Sequence, residues 1–83
     1  MKRKTPKLTL DQPQTYQITI PGVLDALWGD ETSSLSISVE EIDDGQLISI
    51  LTGSMDQAVL QGLLRRLYSL GLPLISVVWI NDL

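Results

Sequence analysis

Residues 54–77 read Ser-Met-Asp-Gln-Ala-Val-Leu-Gln-Gly-Leu-Leu-Arg-Arg-Leu-Tyr-Ser-Leu-Gly-Leu-Pro-Leu-Ile-Ser-Val, a capped helix running into a buried strand. Ser54 and Gln57 have the spacing of a capping box, in which each side chain bonds the backbone N–H of the other. Asp56 in the first turn carries the charge that a helix N-terminus favours. At the far end Gly71 suits the left-handed position after the last turn, Leu72 is placed to fold back on Leu67, and Pro73 forbids continuation. A turn of about 100° per residue gathers Met55, Val59, Leu60, Leu63, Leu64, Leu67 and Leu70 on one half of the cylinder. Gln57, Gln61, Arg65, Arg66, Tyr68 and Ser69 fall on the other side or its margins. Gly62 breaks the local rule, since a mid-helix glycine costs up to about 1 kcal/mol relative to alanine. It is expected to mark the close approach of another backbone, from residues 22–31 or from a second subunit.

Working outward from this helix, period-two alternation predicts three further strands. Tyr16, Ile18 and Ile20 alternate with Thr15, Gln17 and Thr19, up to Pro21-Gly22. Leu35, Ile37 and Val39 alternate with Ser34, Ser36 and Ser38, and Asp43-Asp44-Gly45 then marks a hairpin with Gly45 suited to a left-handed position. With Ile42 and Gln46 flanking that loop, Ile37 faces Leu51 and Val39 faces Ser49. This register puts Leu47 and Leu51 on the core side and turns Ile48 and Ile50 away from it. The last strand, read as Leu74 to Ile80, is apolar on both faces: Ile75, Val77 and Trp79 on one, Leu74, Val78 and Ile80 on the other. Residues 22–31, with Val23, Leu24, Leu27 and Trp28, read as a short helix or turn.

The fold class is therefore α+β, a four-stranded sheet with one long helix on one face. Two strand orders satisfy the element sequence. One is the ferredoxin-like βαββαβ arrangement with a shortened first helix. The other is a meander of three strands followed by the helix and a fourth strand, left open because about a dozen residues is close to the shortest parallel crossover. Eighty-three residues make one domain, here assigned to 14–83, with residues 1–13 read as a basic, disordered N-terminal tail.

Charge is split along the chain. Lys2, Arg3, Lys4 and Lys7 give the first seven residues +4, and the remainder carries ten acids against Arg65 and Arg66. A basic tail is able to touch nucleic acid, but it lacks interleaved aromatics, and the acidic body argues against a nucleic-acid groove. The chain contains no cysteine and no histidine, which removes disulfides, the usual zinc ligands and thiol or imidazole catalysis. The longest apolar run, Leu70 to Ile80, is far short of the roughly 20 residues that span a bilayer. The start of the chain has no apolar leader, so the expected location is the cytoplasm.

The helix motif Asp56-Gln57-Ala58-x-Leu60-x-Gly62-Leu63-Leu64 and the strand motif Leu70-Gly71-Leu72-Pro73-Leu74-Ile75-Ser76-Val77, together with the upstream Asp43-Asp44-Gly45 and Leu51-Thr52-Gly53, resemble a group of small bacterial proteins of unassigned function. The resemblance covers roughly residues 16 to 77. It implies a compact, stand-alone cytosolic domain and brings no activity, cofactor or catalytic residue with it.

Candidate chemistry is thin. Glu40, Glu41, Asp43 and Asp44 could hold a hard cation but lack the ligand spacing of a calcium loop, and a solvated hairpin end is the stronger reading. Asp25, Asp30 and Glu31 have no marked pocket to make them an acid–base set. Ser54 reads as a cap, and Gly53-Ser54-Met55 lacks the lysine and glycines of a phosphate loop. Trp28 and Trp79 read as packing residues, and Arg65-Arg66 as a solvated margin of the helix. No catalytic, cofactor-binding or metal-binding residue is assigned, and an enzyme is not expected. The expected function is an interaction module that self-associates or meets a protein partner through the sheet face opposite the helix. Its candidate surface is Ile48, Ile50, Leu74, Val78 and Ile80. The alternative is a small-molecule-sensing regulatory domain, by analogy of fold alone.

Overall fold

A computed structural model describes residues 8–24 and 35–80. Four strands, β1 (Gln14–Pro21), β2 (Leu35–Glu41), β3 (Leu47–Met55) and β4 (Ser76–Ile80), form a single sheet, and α1 (Gln57–Ser69) lies on one face. The order is β2-β3-β1-β4, and each neighbouring pair is antiparallel. This is the ferredoxin-like order. The meander is ruled out, because β1 pairs with β3 and β4 and never with β2. Of the short helix or turn expected at 22–31, Gly22, Val23 and Leu24 are described and are not helical, and the rest, with Trp28, Asp25, Asp30 and Glu31, lies outside the described residues.

The hairpin sets the register as its turn residues dictate. Ile37 pairs with Leu51 and Val39 with Ser49. Asp44, at φ 66°, joins Gly45, at φ 76°, in the left-handed region, so the turn uses two such residues where one was expected. Two successive left-handed residues match the twist of the flanking strands, and aspartate tolerates that backbone better than most side chains.

Every second residue of β1 is buried: Tyr16, Ile18 and Ile20 meet Leu51 and Met55 of β3 and Leu60, Leu63 and Leu67 of α1 in one core. Leu64 and Leu72 pack partly against it, whereas Val59 and Leu70 are exposed. The apolar stripe of α1 is thus narrower than the sequence pattern, since only its central row reaches the sheet. Leu47 takes the predicted side by parity but stays exposed at the end of the sheet.

Both helix ends differ from each other in how closely they follow the sequence. Asp56, not Ser54, is the N-cap; its Oδ1 accepts the Val59 N–H at 2.8 Å. No capping box forms, because β1 holds Ser54 and Met55 extended through the pairs Thr15–Ser54 and Gln14–Met55. Gln57 instead donates from Nε2 to the Tyr16 hydroxyl at 2.5 Å, and its backbone N–H goes to the carbonyl of Leu10 at 3.0 Å. That bond ties the segment preceding β1 to the first turn of α1. At the C-terminus Gly71, at φ 76°, follows the last turn, and the Leu72 N–H returns to the Leu67 carbonyl at 3.0 Å, the closure expected of a left-handed glycine cap.

Ser49 is the one fully buried polar side chain among the described residues. Its hydroxyl donates to the Gly22 carbonyl at 2.7 Å and accepts the Leu24 N–H at 3.0 Å. The Gly22 N–H donates to the Leu47 carbonyl at 2.8 Å. These three bonds pin the exit of β1 to β3. A hydroxyl is suited to that place because it donates and accepts at once, and so satisfies two backbone groups that have left the ladder.

Candidate interaction surface

The sheet face away from α1 is built by parity from the register. β3 contributes Ile48 and Ile50, β4 contributes Val78 and Ile80, and β1 between them contributes Thr15, Gln17 and Thr19. β2 adds Ser36, Ser38 and Glu40. The aliphatic side chains therefore form two islands about 10 Å apart, two strand spacings across the polar row of β1. They are not equally available. Ile48, between its ladder partners Pro21 and Glu40, is only 8% exposed, while Val78 and Ile80 are 46% and 36% exposed.

Leu74 does not sit with them. β4 begins at Ser76, two residues later than the apolar run suggests, and sheet bonding to β1 starts with the Ile75 N–H, which donates to the Thr19 carbonyl at 2.8 Å. Leu74 is exposed in the connection before the strand. The described part of the predicted surface thus contracts to Ile50, Val78 and Ile80.

A feature not read from the sequence is the position of β4 at the rim of the sheet. Its residues, Ser76-Val77-Val78-Trp79-Ile80, include no charge and no proline. Val77 and Trp79 lie on the helix side, opposite Ile18 and Tyr16, and α1 leaves Val77 37% exposed. The Trp79 indole N–H points back to Gln14 Oε1 at 3.4 Å. The other rim, β2, ends in Glu40 and Glu41, both exposed. The signal that would have found the apolar rim is the ferredoxin-like order itself, which always leaves the last strand at an edge.

The remaining candidates stay dispersed. Glu40, Glu41, Asp43 and Asp44 are exposed around the hairpin, and no group of three metal-ligating side chains gathers among the described residues. Ser54 is an exposed strand residue, so Gly53-Ser54-Met55 is not a helix start. The true start of α1 already spends its first donors on Asp56 and on Leu10. A shallow hollow beside it is lined by Leu10, Gln57, Ala58 and Gln61. Gly62 faces open space: an added Cβ would meet nothing within 4 Å. The close approach expected there is absent among the described residues, since the glycine sits on the solvent side of α1. No helix among the described residues is long and apolar enough to cross a membrane.

Fold and surface together define a small open-faced α+β domain with an apolar sheet edge. The chain belongs to the family described as a domain of unknown function (DUF8691), which it matches over residues 15–78. That span begins in β1 and ends in β4, so β2, β3 and α1 fall wholly within the family's domain, as do β1 apart from Gln14 and β4 apart from Trp79 and Ile80. No curated protein and no solved structure matches the chain.

Proposed function

We propose that the protein is a non-enzymatic interaction module that self-associates through the β4 side of its open sheet face. The observation that carries this reading is the exposure of Val78 and Ile80, which keep 46% and 36% of their surface although they stand in a sheet strand. Covering two half-exposed aliphatic side chains contributes on the order of 1 kcal/mol each per copy. Ile50 extends the surface toward the sheet centre, and the polar Thr15, Gln17 and Thr19 keep the contact partial. The sequence resemblance supports a setting in the bacterial cytoplasm.

The test is solution mass by light scattering across a concentration series, for the wild type and for a variant carrying Ile50→Lys and Val78→Lys. A wild type that dimerises and a folded variant that does not are the expected results. A wild type that stays monomeric at high micromolar concentration overturns the reading.

A further inference from the structure

Resting on that self-association, we infer that two copies join edge to edge through β4, antiparallel about a two-fold axis near Val78, so that their two sheets become one. Three observations point to this geometry. First, β4 is a terminal strand of the sheet, so alternate N–H and C=O groups along its outer side have no strand partner among the described residues. Second, its five residues carry none of the usual defences of a free edge, neither charge nor proline nor a left-handed residue. Third, it is exposed on both sides of the sheet, with Val78 and Ile80 on the open face and Val77 on the helix face. Stacking of open faces would cover the first two and leave Val77 wet. Edge pairing covers all three.

The occupant follows from charge and symmetry. The only other edge among the described strands is β2, and an antiparallel β2–β2 contact centred on Ser38 would carry four carboxylates, with Glu40 opposite the partner's Ser36 and Glu41 opposite the partner's Leu35, charge of the kind that guards a free edge. A β2–β4 contact would be head to tail, building a ring or an open chain and not a closed pair. A β4–β4 contact is isologous, closes after two copies and brings no charged side chain of β4 to the axis. Centring it on Val78 pairs the whole strand: Ser76 with the partner's Ile80, Val77 with the partner's Trp79, and Val78 with its own copy.

The experiment compares wild type, Val77→Lys and Ile50→Lys by light scattering, and follows backbone amide exchange of the wild type by NMR at high and low concentration. Edge pairing predicts that Val77→Lys weakens the dimer about tenfold or more, since each dimer then holds two lysines in the paired edge, and that Ile50→Lys, two strands away from that edge, weakens it less. It also predicts slow exchange at every β4 amide when concentrated, with alternate amides turning fast on dilution. A dimer broken by Ile50→Lys and kept by Val77→Lys overturns edge pairing in favour of face stacking, and leaves self-association standing. A monomeric wild type overturns both and leaves the edge to a strand of another protein. Where both variants lose the dimer, or Val77→Lys fails to fold, the wild-type exchange decides: alternate β4 amides that stay fast at all concentrations overturn the pairing.

Discussion

Replacing Gly62 with alanine should stabilise this protein, and the size of the gain follows from what surrounds the residue. Gly62 lies in the middle of α1, and a Cβ built there meets nothing within 4 Å among the described residues. The added methyl group therefore brings no clash. What it brings is the difference in helix propensity, about 0.8–1.0 kcal/mol in a helix interior, most of it from the smaller conformational freedom of the unfolded chain. For a domain of this size 1 kcal/mol is worth about 4–8 °C in melting temperature, so Gly62→Ala should melt roughly 3–8 °C higher. Thermal unfolding followed by circular dichroism measures the shift. Urea unfolding should show a higher midpoint at an unchanged slope, which separates a change in stability from a change in the compactness of either state. A variant that melts at or below the wild-type temperature would refute the reasoning, because it would mean that the solvent side of α1 is a contact surface at Gly62.

Ser49→Ala removes the acceptor for the Leu24 N–H and the donor to the Gly22 carbonyl, and should cost about 1–3 kcal/mol, with faster amide exchange at residues 22–24 as its local mark. An unchanged melting temperature would show that solvent replaces both bonds. Asp56→Ala should lose about 0.5–2 kcal/mol as the N-cap, while Ser54→Ala stays within about 0.5 kcal/mol; the reverse ranking in parallel melts would restore the capping box.

Local chemistry was most legible where a few neighbouring residues decide the outcome. The Asp43-Asp44-Gly45 turn set the pairing of Ile37 with Leu51, and Gly71 closed the helix, because each depends on backbone preferences within a handful of residues. The start of α1 was not legible, since Ser54 and Gln57 do have capping-box spacing and it is the distant β1 that holds Ser54 extended. Strand order was not legible either: the alternation in β1 says which side chains turn inward and nothing about which strands flank it. For the surface, parity placed Ile50, Val78 and Ile80 on one face, but the depth of Ile48 depends on what stands beside Pro21 and Glu40, and Leu74 on where ladder bonding begins. Gly62 was misread because a departure from helix propensity in sequence is silent about whether space beside it is filled.

The central place of β1 has a kinetic consequence. β1, the first of the described strands, is flanked by β3 and by β4, the last of them, with residue 15 paired to residue 80, whereas β2 and β3 are joined by a short turn. During synthesis the β2–β3 hairpin is free to form early, but β1 keeps one open side until the codons for β4 have been read and that strand has left the ribosome. Closing so long a loop is slow compared with forming the hairpin. The nascent chain thus spends its growth with Tyr16, Ile18 and Ile20 in a strand that lacks its second neighbour, and the domain completes itself only after its final strand has emerged.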